Sequence, residues 1–188
     1  MAYVSSVAFK IYFALFFPLR AMSIDITPDI SFHGFEQTKA FDILRSNYRV
    51  RKFNSTCAVL NGTMDIFEDL YNNTTLKATI AFSRLGNNQY NISPMKIAEQ
   101  PICDYINETY REKQYMFENT SNFPRVSGDG LCPYPAGHYW LKNLGLDATK
   151  LRWGFPEGLY RITLVMTTVP NRIVEFIFYL KLSRESFW

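Results

Sequence analysis

Three cysteines and two histidines are the residues best suited to nucleophilic or metal chemistry here, and their spacing suits neither. Cys57, Cys103 and Cys132 fall one short of a four-cysteine zinc site, and His33 and His138 stand at no recognised ligand spacing from them. The chain has no G-x-S-x-G elbow, no H-E-x-x-H helix and no paired carboxylates in a recognisable context. An enzyme is therefore not expected, and neither is a metal or a cofactor. His138, beside Tyr139, reads as a polar strand residue rather than a pH sensor. In an oxidising compartment three cysteines imply one disulfide and one residue left over. Sequence alone does not fix the connectivity. The favoured pair is Cys103 with Cys132, because Cys103 opens a helical stretch and Cys132 closes the loop behind it. Cys57 is then a buried thiol or a link to another chain.

The compartment can be read from the start of the chain. In VAFKIYFALFFPLRAMS a basic Lys10 precedes an apolar run from Ile11 to Leu19 and then the small residues Ala21 and Ser23. That order predicts a secretory signal peptide over residues 1–23, and the run is too short for a membrane span, which needs about 20 apolar residues. The expected mature domain is 24–188, secreted and extracellular. Loss of Lys10 and Arg20 lowers its formal charge from +3 to +1, and no Lys/Arg cluster reaches the density of a nucleic-acid patch. RSNYRVRK, Arg45 to Lys52, is the most basic stretch and reads as a solvated strand face. Seven of thirteen asparagines begin Asn-x-Ser/Thr sequons, an excess that fits a glycoprotein. Asn54, Asn61, Asn73, Asn107 and Asn119 are the expected sites. Pro94 weakens the sequon at Asn91, and Asn72 competes with its neighbour.

Positioning these residues falls to short strands. TTLKATIAFS alternates, with Leu76, Ala78, Ile80 and Phe82 on one face. YNNTT is expected to join it to GTMDIFEDL as a hairpin, and YNISPM to form a strand whose Pro94 suits an edge. Ile102, Tyr105, Ile106 and Tyr110 recur at helical spacing behind Pro101, which predicts one helix over about 101–117. Strands follow from Gly137 to Leu144 and around Tyr160 to Met166. A last strand carries Val174, Phe176, Phe178, Leu180 and Leu182 on one face and Ile173, Ile177 and Tyr179 on the other, so it is expected to be covered on both sides. The fold class is mainly β, a two-sheet sandwich or cup with one short helix.

Two segments, CPYPAGHYWLKN at Cys132 and PEGLYRITLVM at Pro156, resemble the signature of an insect family of secreted domains that includes the chemosensory CheB proteins. Most members of that family have no assigned function. The same segments are similar to the ganglioside activator protein, whose fold belongs with the ML lipid-recognition domains. There too a Cys-Pro-aromatic loop leads through a glycine into an aromatic strand, and a Gly-x-Tyr-Arg-Ile strand follows, as Gly158, Tyr160, Arg161 and Ile162 do here. CDYIN at Cys103 resembles a helix-start cysteine that, in the activator, pairs with the Cys-Pro cysteine. The resemblance spans Tyr48 to Leu182 in the order of elements and is most specific from Cys103 to Met166.

The resemblance implies a lipid-holding cup, and sheets that splay apart would leave an apolar cavity. Each buried methylene contributes about 0.8 kcal/mol, whereas discrimination by one methylene is limited to roughly 1–3 kcal/mol. The candidate ligand contacts are Trp153, Phe155, Phe176, Phe178, Leu164 and Ile80, the first two in a loop and the rest on strand faces. The expected function is to bind or present a lipid, cuticular hydrocarbon, pheromone or glycolipid in contact chemosensation. The alternative is an extracellular accessory protein docking on a membrane receptor or channel, its core fully packed. Nucleic acid is not an expected partner.

Overall fold

The computed structural model describes residues 28–39, 42–55, 57–87, 89–147 and 155–184. The signal peptide expected over residues 1–23, Trp153 and the end of the chain fall outside them. Nine strands make two antiparallel sheets among these residues: β1 Pro28–Lys39, β2 Leu44–Ser46, β3 Arg49–Lys52, β4 Ala58–Ile66, β5 Thr75–Ser83, β6 Asn91–Pro101, β7 Gly137–Leu144, β8 Gly158–Thr168 and β9 Arg172–Arg184. The larger sheet has the order β1-β9-β8-β5-β6. In the smaller one β4 is central, with β2 and β3 in line on one side and β7 on the other. The two sheets face each other as a β-sandwich.

Alternation explains the faces. Leu76 and Ala78 on β5, Met166 on β8, and Val174, Phe176, Leu180 and Leu182 on β9 are buried, as their patterns require. The far side of β9 is less covered than expected: Ile173 is exposed, while Ile177 and Tyr179 are half-buried. Tyr179 finds partial cover from Tyr90, its ring centroid 6.4 Å away. YNNTT is not a hairpin turn. β4 and β5 lie in different sheets, and residues 67–74 carry the chain across the sandwich. Alternation specifies that a segment is a strand, not which strand it pairs with. β6 is the edge strand that Pro94 predicts, although it runs on to Pro101.

One helical segment, α1 (residues 102–116), breaks the β pattern. It begins with an α-helical turn over Ile102–Tyr105, widens to a π-helical turn over Ile106–Tyr110, and closes through Arg111–Lys113 and a 3-10 turn at Gln114–Met116. Pro101 precedes it without a side-chain cap. Its first amides are instead satisfied from the 67–74 crossover, Ile102 N–H donating to Thr74 O at 2.8 Å and Cys103 N–H to Asn72 Oδ1 at 3.3 Å. Ile102, Cys103 and Ile106 are buried, so the expected stripe does turn inward.

The Cys103–Cys132 disulfide is present, with Cα atoms 5.5 Å apart and a sequence separation of 29. Cys57 is a half-buried free thiol. Burial, with Asp29 nearby, pushes its pKa up, which leaves it a poor nucleophile.

Candidate functional site

The core does not close into one mass. One cluster gathers Ile43, Leu70, Leu76, Ile102 and Val174, another Ile30, Leu60, Leu144 and Leu182; Phe35, Phe123 and Phe178 touch both. Between the clusters lies a cavity of about 420 Å³. The larger sheet supplies one wall through Ala78, Leu164, Met166, Phe176 and Phe178, and the smaller sheet the other through Leu44, Leu60, Met64 and Leu141. Tyr105, Ile106, Tyr110, Phe117 and Phe123 from α1 and the following loop roof it. No charged side chain lines it among the described residues.

The roof is laced down by polar groups, of which Asn107 and Gln114 lie outside the cavity lining. Asn107 accepts the Leu131 N–H at 2.7 Å through Oδ1 and donates from Nδ2 to Leu131 O at 3.4 Å. Gln114 does the same for Val126, at 2.9 and 3.2 Å, and the Tyr110 hydroxyl donates to Pro124 O at 3.1 Å. The loop is then stitched to the outer edge of β7, where Lys142 N–H donates to Thr120 O at 2.7 Å and Trp140 N–H to Asn122 Oδ1 at 2.6 Å. Leu70 and Tyr134 exchange both backbone hydrogen bonds at 2.9 Å, and Asp69 accepts the Ala136 N–H at 2.7 Å. The cysteine-proline loop is thus a fastening between the crossover, α1 and β7, and its residues need no catalytic role.

Among the described residues, tyrosines are the hydroxyl-bearing side chains that line the cavity. Burial raises the pKa of Tyr48, Tyr105 and Tyr134, and pushes Tyr110 up to about 12, with Tyr105 and Tyr139 adding to it. All four are neutral at physiological pH. The Tyr48 hydroxyl is buried without a partner. The cavity wall is therefore uncharged and mostly hydrocarbon. It can hold an apolar group by excluding water.

Leu164, Phe176 and Phe178 line this cavity, and Ile80 and Phe155 do not. Ile80 packs partly buried in the second cluster. Phe155 lies edge-on against Tyr160 with centroids 5.6 Å apart, beside an Arg184 side chain that donates to Phe155 O; it is a loop anchor. Sequence reasoning named Tyr105, Ile106 and Tyr110 only as a packing stripe and passed over Tyr48 and Tyr134. The signal available was the set of large aromatics on inward faces opposite short strands. Among the sequon asparagines, Asn54, Asn73 and Asn119 are exposed. The Asn61 Nδ2 is buried and its Oδ1 accepts the Asn143 N–H at 3.0 Å, while Asn107 holds the roof loop.

Residues 76–162 match a family model described as Protein of unknown function (DUF1091). That span runs from β5 into β8 and contains α1, its loop and both bonded cysteines, which is the roof of the cavity and most of its fastening. The search among curated proteins found no match.

Proposed function

We propose that this chain is a secreted glycoprotein that holds a hydrophobic ligand between its two sheets. The observation that carries the reading is the apolar cavity of about 420 Å³, within the roughly 300–1,000 Å³ range of small-molecule sites. A sandwich of this size has no packing need for such a void, since interiors close to a density near 0.74–0.76. The resemblance to the CheB-containing insect family and to ML-type lipid-recognition domains supports a lipid, cuticular hydrocarbon, pheromone or glycolipid chain as the guest. The signal-like residues 1–23 and the exposed sequons at Asn54, Asn73 and Asn119 support export. Binding would rest on methylene burial, at about 0.8 kcal/mol for each group removed from water.

Native mass spectrometry of the gently purified glycoprotein is the direct test, paired with displacement of a fluorescent acyl probe by long-chain alkanes and esters. Apolar adducts and saturable displacement are expected. A bare mass with no probe uptake would refute the reading and favour an accessory protein that docks on a receptor or channel.

A further inference from the structure

The smaller sheet turns its outer face to solvent, and that face is basic. Arg45, Arg49, Arg51 and Lys142 are exposed there, on registers that place Arg49 opposite Asn61 and Arg45 opposite Asp65. Asp65, the acidic residue on this face, is occupied by His138 Nδ1 at 2.5 Å. Neither Arg49 nor Arg51 has a carboxylate partner among the described residues, whereas Arg125 pairs with Glu118 and Arg172 with Asp42 and Glu68.

Between the two arginines the face is concave. Gly62 has φ +139°, and a Cβ there would stand 2.2 Å from Asn47 O. The β4–β7 register slips between Leu60 and Gly62, and Asn143 opposite has φ 54°. This bulge opens a cleft of about 450 Å³ lined by Arg49, Arg51, Asn47, Asn61, Thr63 and Asn143. Two arginines whose Cα atoms stand about 7 Å apart along a strand, with amide and hydroxyl groups around them, suit an oxyanion carried on a polar scaffold. Trp140 lies opposite Thr63 on β7 and is 38% exposed, offering a flat ring beside the cleft. We propose that this cleft binds a sulfated polysaccharide, with sulfate esters on Arg49 and Arg51 and the sugar against Asn47, Thr63 and Trp140. A bilayer is disfavoured because a planar surface cannot reach into a concave site. The inference is independent of the interior cavity.

The test uses the full-length secreted chain, with dextran sulfate and unsulfated dextran as probes in titration calorimetry and mixed phosphatidylcholine–phosphatidylserine vesicles as a third arm. Dextran sulfate should bind and dextran should not. Arg49→Ala/Arg51→Ala should weaken binding roughly tenfold or more. Arg84→Ala/Arg111→Ala removes the same charge from exposed positions elsewhere and should change it less than about twofold. All four side chains are exposed, so unchanged thermal melting will confirm that each variant folds. Equal losses in the two double variants, binding to vesicles alone, no binding to dextran sulfate, or an N-glycan on Asn61 filling the cleft would each overturn the proposal.

Discussion

Filling the cavity from one wall separates a hollow that serves a ligand from a packing defect. Ala78 lies mid-sheet on β5 between Leu164 of β8 and Ile97 of β6, is 3% exposed, and lines the void. In a filled core Ala78→Phe would cost about 1–3 kcal/mol through overpacking. Here the ring enters empty apolar space, so the unfolding free energy should stay within about 1 kcal/mol of wild type. The ring takes the room of roughly four guest methylenes, each contributing about 0.8 kcal/mol. Ligand affinity should therefore fall by about 3 kcal/mol, on the order of two hundredfold. Ala81→Phe is the control: Ala81 is also buried but does not line the cavity, so it should lose stability and leave affinity unchanged. Urea unfolding and acyl-probe titration on the three proteins give both numbers. A destabilised Ala78→Phe that takes up probe like wild type would refute the reasoning.

The other expectations are local. Replacing both bonded cysteines, Cys103→Ser/Cys132→Ser, releases a 29-residue constraint and should cost about 3.6 kcal/mol by the chain-entropy relation, read as a lower urea midpoint. Gly158 has φ +146°, and a Cβ there would stand 2.7 Å from Ser83 O and 2.6 Å from the Phe82 ring; Gly158→Ala should lose about 2 kcal/mol or more in the same assay. An unfolded tyrosine titrates near 10, whereas burial holds Tyr110 up to about 12 and Tyr48 and Tyr134 still higher. The unfolded chain then sheds these protons first, so the stability is fully present below about pH 10 and falls as pH rises towards about 12. Phenolate absorbance should rise in step with loss of structure across that window; early titration with the fold intact would contradict it.

Strand identity was legible wherever one face met the core and the other met water. β7, β8 and β9 follow the alternation of their residues, β5 follows it until Ala81 and Ser83 are buried on its other face, and β7 begins and ends at Gly137 and Leu144 as expected. β1 was not legible, because its register slips between Phe32 and Gly34 and again between Gln37 and Lys39, which scrambles a period of two. The partner of β4 was hidden for another reason: YNNTT has turn composition, but nothing local distinguishes a hairpin from a crossover between layers. For the site, Leu164, Phe176 and Phe178 were visible as inward-facing residues on long strands. The place of Phe155 outside the cavity lining was not legible, because a loop aromatic carries no sign of the Tyr160 ring that shelters it. The roof was recognised as a helix but not as a roof, since its function depends on what it stands above.

The hollow follows from a mismatch in sheet size. β5, β8 and β9 run 9, 11 and 13 residues, whereas β2 and β3 have only 3 and 4. Sheets that pack face to face sit about 10 Å apart and fill that gap with interdigitated side chains. The smaller sheet is three strand positions wide, with β2 and β3 in line beside β4 and β7, so it cannot do so across all five strands of the larger one, and α1 with its loop covers the remainder. A helix presents one stripe rather than a continuous face, so the tyrosine and phenylalanine side chains of residues 105–123 reach across without filling the space below. That arrangement holds only if the roof cannot sink into the void, and Cys103–Cys132, Asn107 and Gln114 are placed to prevent it. The polar fastening and the apolar hollow are thus two halves of one design: without the former, collapse of α1 onto β5 and β8 would be the favourable outcome.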